Sequence, residues 1–303
     1  MNALKSGKSK IEISQPLRES LIGSDDIRIS RLPTVIDSLN YLAAQLPERY
    51  HWRFKTSEAF QEEKAKLLIQ NAAIVDKNAL YWRDTLANIE AYFVTAIWRM
   101  VDICQAAIYA VESENIVPAG ILARSALESA VQFVHDARKI CSTLDDVSKV
   151  DFSKNICESS ELECFILKTT FSTRLTGSEE FYKSTNIITV KDRIAKIAKN
   201  DQIRDNYEIL SELTHPSFLG RSIYLVDRKK GPRDGDEIRI AAHENGLNSE
   251  SILQVVLWAL SWAIDAQAVS GHLLQETIGG MFKTFPFLDT SHTRRSVGNR
   301  PLH

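Results

Sequence analysis

Apolar residues recur at steps of three and four along most of the chain, the period of a helix buried on one side. Val35, Leu39, Leu42 and Leu46 predict an amphipathic helix from Pro33 to near Pro47. The period resumes from Ser57 to about Asp76 and again from Asn78 to about Ser113, where Ile89, Phe93, Ile97, Val101, Cys104 and Ile108 form one stripe along a spine helix. A further helix opens at Pro118, acceptable in a first turn, and runs to about Ile140. Residues 142 to 157 read as a linker or exposed loop, and a shorter helix follows from Ser159 to Thr170.

Thr189, with Asp192 three residues on, resembles a capping box opening the first arm of a helical hairpin. The chain turns at Asn200 and Asp201 into a second arm that Pro216 must end. The pattern then alternates on both sides of a Gly/Pro/Asp turn, predicting one β-hairpin at about 220–243. A last long helix starts after Asn248 as cap and reaches about Thr277. The expected fold is all-α: a bundle of seven or eight helices over residues 31–280 with one inserted hairpin. Residues 1–30 are expected to be a mobile arm with a short helix near Leu17 to Ile22, and 281–303 a basic tail carrying Arg294, Arg295 and Arg300.

Composition adds exclusions. Twelve glycines and eight prolines in 303 residues suit long helices rather than many tight turns. With 37 basic and 39 acidic side chains there is no global field to recruit a polyanion, so any nucleic-acid contact must come from a local patch. One such stretch is ERYHWRFK, with Arg49, Tyr50, His51, Trp52, Arg53, Phe54 and Lys55. Interleaved rings and cations of this kind either stack bases or form a segment with rings packed inward and cations in water. Cys104, Cys141, Cys157 and Cys164 include no CxxC pair and read as reduced apolar residues, which points to the cytoplasm. The most apolar run, Ile252 to Ile264, is shorter than a bilayer span and reads as a buried central helix, so no membrane contact is expected.

The candidate chemistry lies on two helices. Tyr207, Ser211 and His215 fall at steps of four on one stripe, and Arg124 and Glu128 share a face at the same spacing. A histidine poised near neutral pH, an arginine for a developing phosphate charge and a glutamate to orient or accept a proton would suffice for phosphodiester cleavage without metal. The same residues would also serve as a buried network that satisfies itself. A metal would have to recruit His135 and Asp136, adjacent and therefore about 100° apart on a helix, with His215, Asp265 or His272, and no metal or cofactor is expected. GxxxxGK[ST], GxGxxG and GxSxG are all absent, which argues against nucleoside triphosphatase, dinucleotide and hydrolase-elbow chemistry.

Arg124-Ser-Ala-Leu-Glu128 and Tyr207-Glu-Ile-Leu-Ser211-Glu-Leu-Thr-His215-Pro216 resemble an uncharacterised bacterial helical group sharing RSxxE and YxxLSxxxHP motifs, over roughly residues 85 to 275. That group is similar to the HEPN class of helical bundles. The resemblance implies an intracellular bacterial effector of a toxin, abortive-infection or antiphage system, acting as a metal-independent ribonuclease. It implies Arg124, Glu128, Tyr207, Ser211 and His215 as the site; the class carries an Arg and a His four to six residues apart on one helix, and this sequence departs from that spacing, so Arg124 and His215 would have to supply the pair from two helices. It further implies a homodimer, with RNA and a partner protein from the same operon as expected partners. The alternative is a non-catalytic helical scaffold or regulatory subunit.

Overall fold

The computed structural model describes residues 10–173, 183, 186–215, 217–229, 237–241, 246 and 248–289. The expected bundle is there: among those residues, eight helices reach twelve residues or more, and the only sheet is one antiparallel hairpin. Contacts divide the chain into two units, each built from three stretches of the sequence. The first takes residues 1–45, 97–134 and 186–269, and the second takes 46–96, 135–185 and 270–303. Three long helices, α5 (Ile74–Glu112), α6 (Ile116–Val147) and α11 (Ser249–Thr284), each belong partly to one unit and partly to the other.

In the first unit the expected mobile arm is packed wherever it is described. The backbone N–H of Ile11 donates to Asn40 Oδ1, and Asn40 Nδ2 donates back to Ile11 O, both at 2.8 Å. Ser14 caps α1 (Gln15–Ile22) and Asp26 caps α2 (Ile27–Ser30), while Ile11, Leu21 and Ile29 are buried. Three buried apolar anchors in twenty residues offset the ordering cost that would leave such a segment loose. Helix α3 (Leu32–Ala44) buries Val35, Ile36, Leu39 and Leu42 as its period demands. The hairpin pairs β1 (Leu225–Lys229) with β2 (Glu237–Ile240) in the register Arg228 to Ile238, with a bulge between Leu225 and Asp227.

The second unit holds α4 (Ser57–Ile69), which Thr56 caps and which has no buried residue at all. It ends earlier than the expected Asp76. Asn71 takes a left-handed φ of 50° just past its end, and α5 then begins at Ile74 rather than Asn78. Helix α6 also outruns its expected end at Ile140, burying Leu144 and Val147. The segment after it, expected as an exposed loop, hangs on one face of α5. Asn78 Nδ2 donates to the carbonyls of Phe152 and Asn155, Trp82 Nε1 donates to Cys157 O, and Tyr81 OH donates to Ser159 O. Burial lifts that Tyr81 phenol to about 12.

Helix α7 (Ser160–Phe171) follows. At the C-terminus the described start of the expected tail is packed: Phe285 stacks on Phe152 at 4.1 Å and Leu288 is buried. Arg294, Arg295 and Arg300 lie outside the described residues. Helices α5 and α11 are long and apolar enough to cross a membrane by length and composition, so the apolar run at Ile252–Ile264 belongs to a longer helix than expected. Within the protein, 44% and 67% of their most apolar windows are buried.

Candidate functional site

The candidate residues lie in the first unit, on α6 and on the hairpin of α8 (Ile187–Ala198) and α9 (Gln202–Thr214). Asn186, not Thr189, caps α8, its Oδ1 accepting from Ile188 N. Lys199 closes α8 in a left-handed conformation, φ 50°, and Arg204 staples the two arms by donating to Asp192 Oδ1, Asp192 O and Asp201 Oδ1. Asp192, expected in a capping box, is spent on this staple.

Gly120 on α6 allows α9 to approach. A Cβ there would fall 2.1 Å from Leu213 Cδ2, so only glycine accommodates that leucine where it stands. One turn along α6, Arg124 then reaches α9. Its Nη1 donates to Thr214 Oγ1 at 2.6 Å, its Nη2 to Tyr207 OH at 3.3 Å, and its Nε to Glu128 Oε1 at 3.2 Å. Tyr207 OH donates to the same Glu128 oxygen at 3.0 Å. Cations flank the tyrosine ring, Arg124 Cζ at 5.2 Å and Lys191 Nζ at 4.7 Å from its centroid.

Three of the five candidates therefore meet: Arg124, Glu128 and Tyr207. Ser211 and His215 do not join them. Ser211 Oγ donates to Tyr207 O one turn back, a local bond that occupies its hydroxyl. His215 is the C-cap of α9 with extended ψ of 157°, and its exposed side chain makes no hydrogen bond among the described residues. The next residue in the sequence is a proline, and the helical conformation is disfavoured for a residue that precedes one, in keeping with the extended ψ of His215. Two members were missed. Thr214, seven residues after Tyr207, lies on the same helical face and was detectable by that spacing. Lys191 comes from another helix and carried no such signal.

Chemically the cluster is mostly self-satisfied. Tyr207 OH both donates and accepts, and Thr214 Oγ1 accepts from Arg124 while donating to Ser211 O. The side chains of Arg124 and Glu128 keep 24% and 28% of their surface in water. The second oxygen of Glu128 makes no bond among the described residues.

The residues weighed for metal go elsewhere. In the second unit, Asp136 is fully buried, accepting from Tyr92 OH at 2.8 Å and meeting His135 Nδ1 at 3.0 Å. Burial first, then the charge of Asp136, pushes the Tyr92 phenol well above its usual range. In the first unit, Asp265 accepts from Arg28 Nη1 at 2.8 Å. Among the described residues no three His, Cys, Asp or Glu side chains gather to hold a metal, and all four cysteines are free thiols.

No family model, curated protein or solved structure matches the chain. The resemblance to HEPN bundles therefore rests on the two short motifs alone.

Proposed function

We propose that the chain is a non-catalytic helical interaction protein, a scaffold or regulatory subunit, in which the polar cluster is a clasp joining α6 to the α8–α9 hairpin. The observation that carries this reading is the mutual satisfaction of Arg124, Glu128, Tyr207 and Thr214, each bonded to another member. A working base or nucleophile keeps a lone pair or proton directed at substrate, whereas here the hydroxyls are spent on neighbours and the histidine stands apart. A second copy of the chain is the first partner to seek, by light scattering at micromolar concentration.

A second reading, the HEPN-like metal-independent ribonuclease, is favoured by one contact. Arg124 donates to Thr214, the residue before the exposed His215, which brings the guanidinium to the end of α9 that carries the histidine. Incubating RNA with the purified chain in EDTA separates the two readings. Intact RNA is expected, and EDTA-resistant cleavage that Arg124→Ala or His215→Ala abolishes would overturn the scaffold reading.

A further inference from the structure

The stretch Arg49 to Lys55 is not used by the polar clasp, and it lies in the second unit. It has no helix or strand of its own, yet it is pinned to α5 at two points. Tyr50 OH donates to Glu90 Oε2 at 2.9 Å, and Trp52 Nε1 donates to Asn88 Oδ1 at 2.9 Å. Asn88 is itself oriented, its Nδ2 donating to Asp84 Oδ2 at 3.3 Å. The Trp52 ring is thus held in place rather than left to rotate, and fixed rings bind with less ordering cost than free ones.

Around it three rings from two segments converge. Trp52 stacks on Phe171 of α7 with centroids 5.8 Å apart, and Phe54 sets its edge against both, at 5.6 Å from Trp52 and 5.1 Å from Phe171. An ordinary hydrophobic patch would bury such a trio. Here Phe54 remains 44% exposed and Phe171 39% exposed, so ring surface faces water.

The cations of the same stretch and of the last turn of α7 divide into spent and unspent. Lys55 is paired with Glu63 at 2.6 Å. Arg49, His51 and Arg53 are exposed, and neither they nor Lys168, three residues before Phe171 on α7, make a side-chain hydrogen bond or ion pair among the described residues. Glu48 is the acidic residue next to them in the chain. Immobilised aromatic faces with unspent cations interleaved in the same stretch of chain are what a flexible polyanion with stackable bases requires. Every base has a π-face, and its phosphates need counter-charge at the same site.

We propose that Trp52, Phe54 and Phe171, with Arg49, Arg53 and Lys168, form a platform that binds single-stranded nucleic acid by stacking and backbone neutralisation, without cleaving it. The site is independent of the clasp and goes beyond the scaffold reading, because it gives the interaction protein a ligand of defined chemistry.

The test is fluorescence anisotropy of end-labelled oligo(U) and oligo(dT) with the full-length chain at low salt. Saturable binding is expected, with Phe54→Ala and Phe171→Ala each weakening it about tenfold or more. Arg49→Glu with Arg53→Glu should do the same and flatten the salt dependence. Phe218→Ala in the first unit should leave binding unchanged, and circular dichroism melts identify any variant that has failed to fold. The charge-reversal pair, on exposed side chains, supplies the test if an aromatic variant unfolds. Binding of oligo(U) alone would assign the ligand to RNA through its 2′-hydroxyls, and equal binding of both would assign it to bases and phosphates. Absence of saturable binding overturns the proposal. So does equal competition by polyglutamate or heparin, or affinity untouched by both the aromatic and the charge variants.

Discussion

The hydroxyl of Tyr207 donates to Glu128 at 3.0 Å while accepting from Arg124, so one phenol bridges the acid and the base of an i, i+4 pair on another helix. Tyr207→Phe keeps the ring against its two cations and removes only the bridge, and should cost about 1 kcal/mol. Arg124→Ala deletes three donors and a cation–π contact. Because Glu128 keeps about a quarter of its surface in water, its stranded charge is solvated, and the loss should be about 2 kcal/mol rather than the larger cost of a fully buried pair. His215→Ala touches nothing comparable and should stay within about 0.5 kcal/mol. Denaturant melts of the three variants check the order, and a His215→Ala loss exceeding that of Arg124→Ala would refute the clasp.

Gly120 supplies a second test, in which two opposing effects are of similar size. Gly120→Ala gains about 1 kcal/mol of helix propensity and forces Leu213 off its rotamer at about 0.5–1.5 kcal/mol, so its melting temperature should barely move. Gly120→Val adds bulk that Leu213 cannot evade and should cost about 1–3 kcal/mol. Thermal melts of the pair distinguish a tight α6–α9 approach from a loose one, since a loose approach would tolerate valine.

In the second unit, burial raises the carboxyl of Asp84 above its usual 3.8, with Lys55 and Asn88 opposing the shift. Glu163 is raised by its own burial and then by the charge of Asp84. For an acid with a raised folded-state value, ionisation penalises the native state. The penalty is complete above the raised value, shrinks as pH falls through it, and is gone below 3.8. Asp84→Asn, which keeps an oxygen to accept from Asn88, should therefore raise the melting temperature at pH 7 and give no gain at pH 3. Equal gains at both pH values would show that charge is not the cause.

How much of this was legible in the sequence depends on whether a feature is periodic or arises from contact between segments. The stripe Ile89, Phe93, Ile97, Val101, Cys104 and Ile108 is buried throughout, because helix period alone decides which face turns inward. The hairpin followed from alternation around its turn, and Arg124, Glu128 and Tyr207 from four-residue spacing. Counting steps of four puts His215 on the stripe, whereas the proline that follows it in the sequence ends the helix there. The hanging of residues 152–159 on Asn78, Tyr81 and Trp82 could not be read, since partners 74 to 79 positions apart leave no periodic trace.

Helix α4 contributes no buried side chain, and its ties are an edge contact of Phe60 with Tyr81 and the ion pairs Lys55–Glu63 and Lys64–Glu158. Such ties are individually small and screened by salt. A helix of this length is marginal by itself in water, so the free energy of detaching it lies far below that of unfolding the chain. Amide deuterium uptake should therefore run ahead in residues 57–69 while α5 beneath stays protected, and the gap should widen with added salt. Limited proteolysis should make its first cut there, releasing a chain whose remaining helices still melt as before.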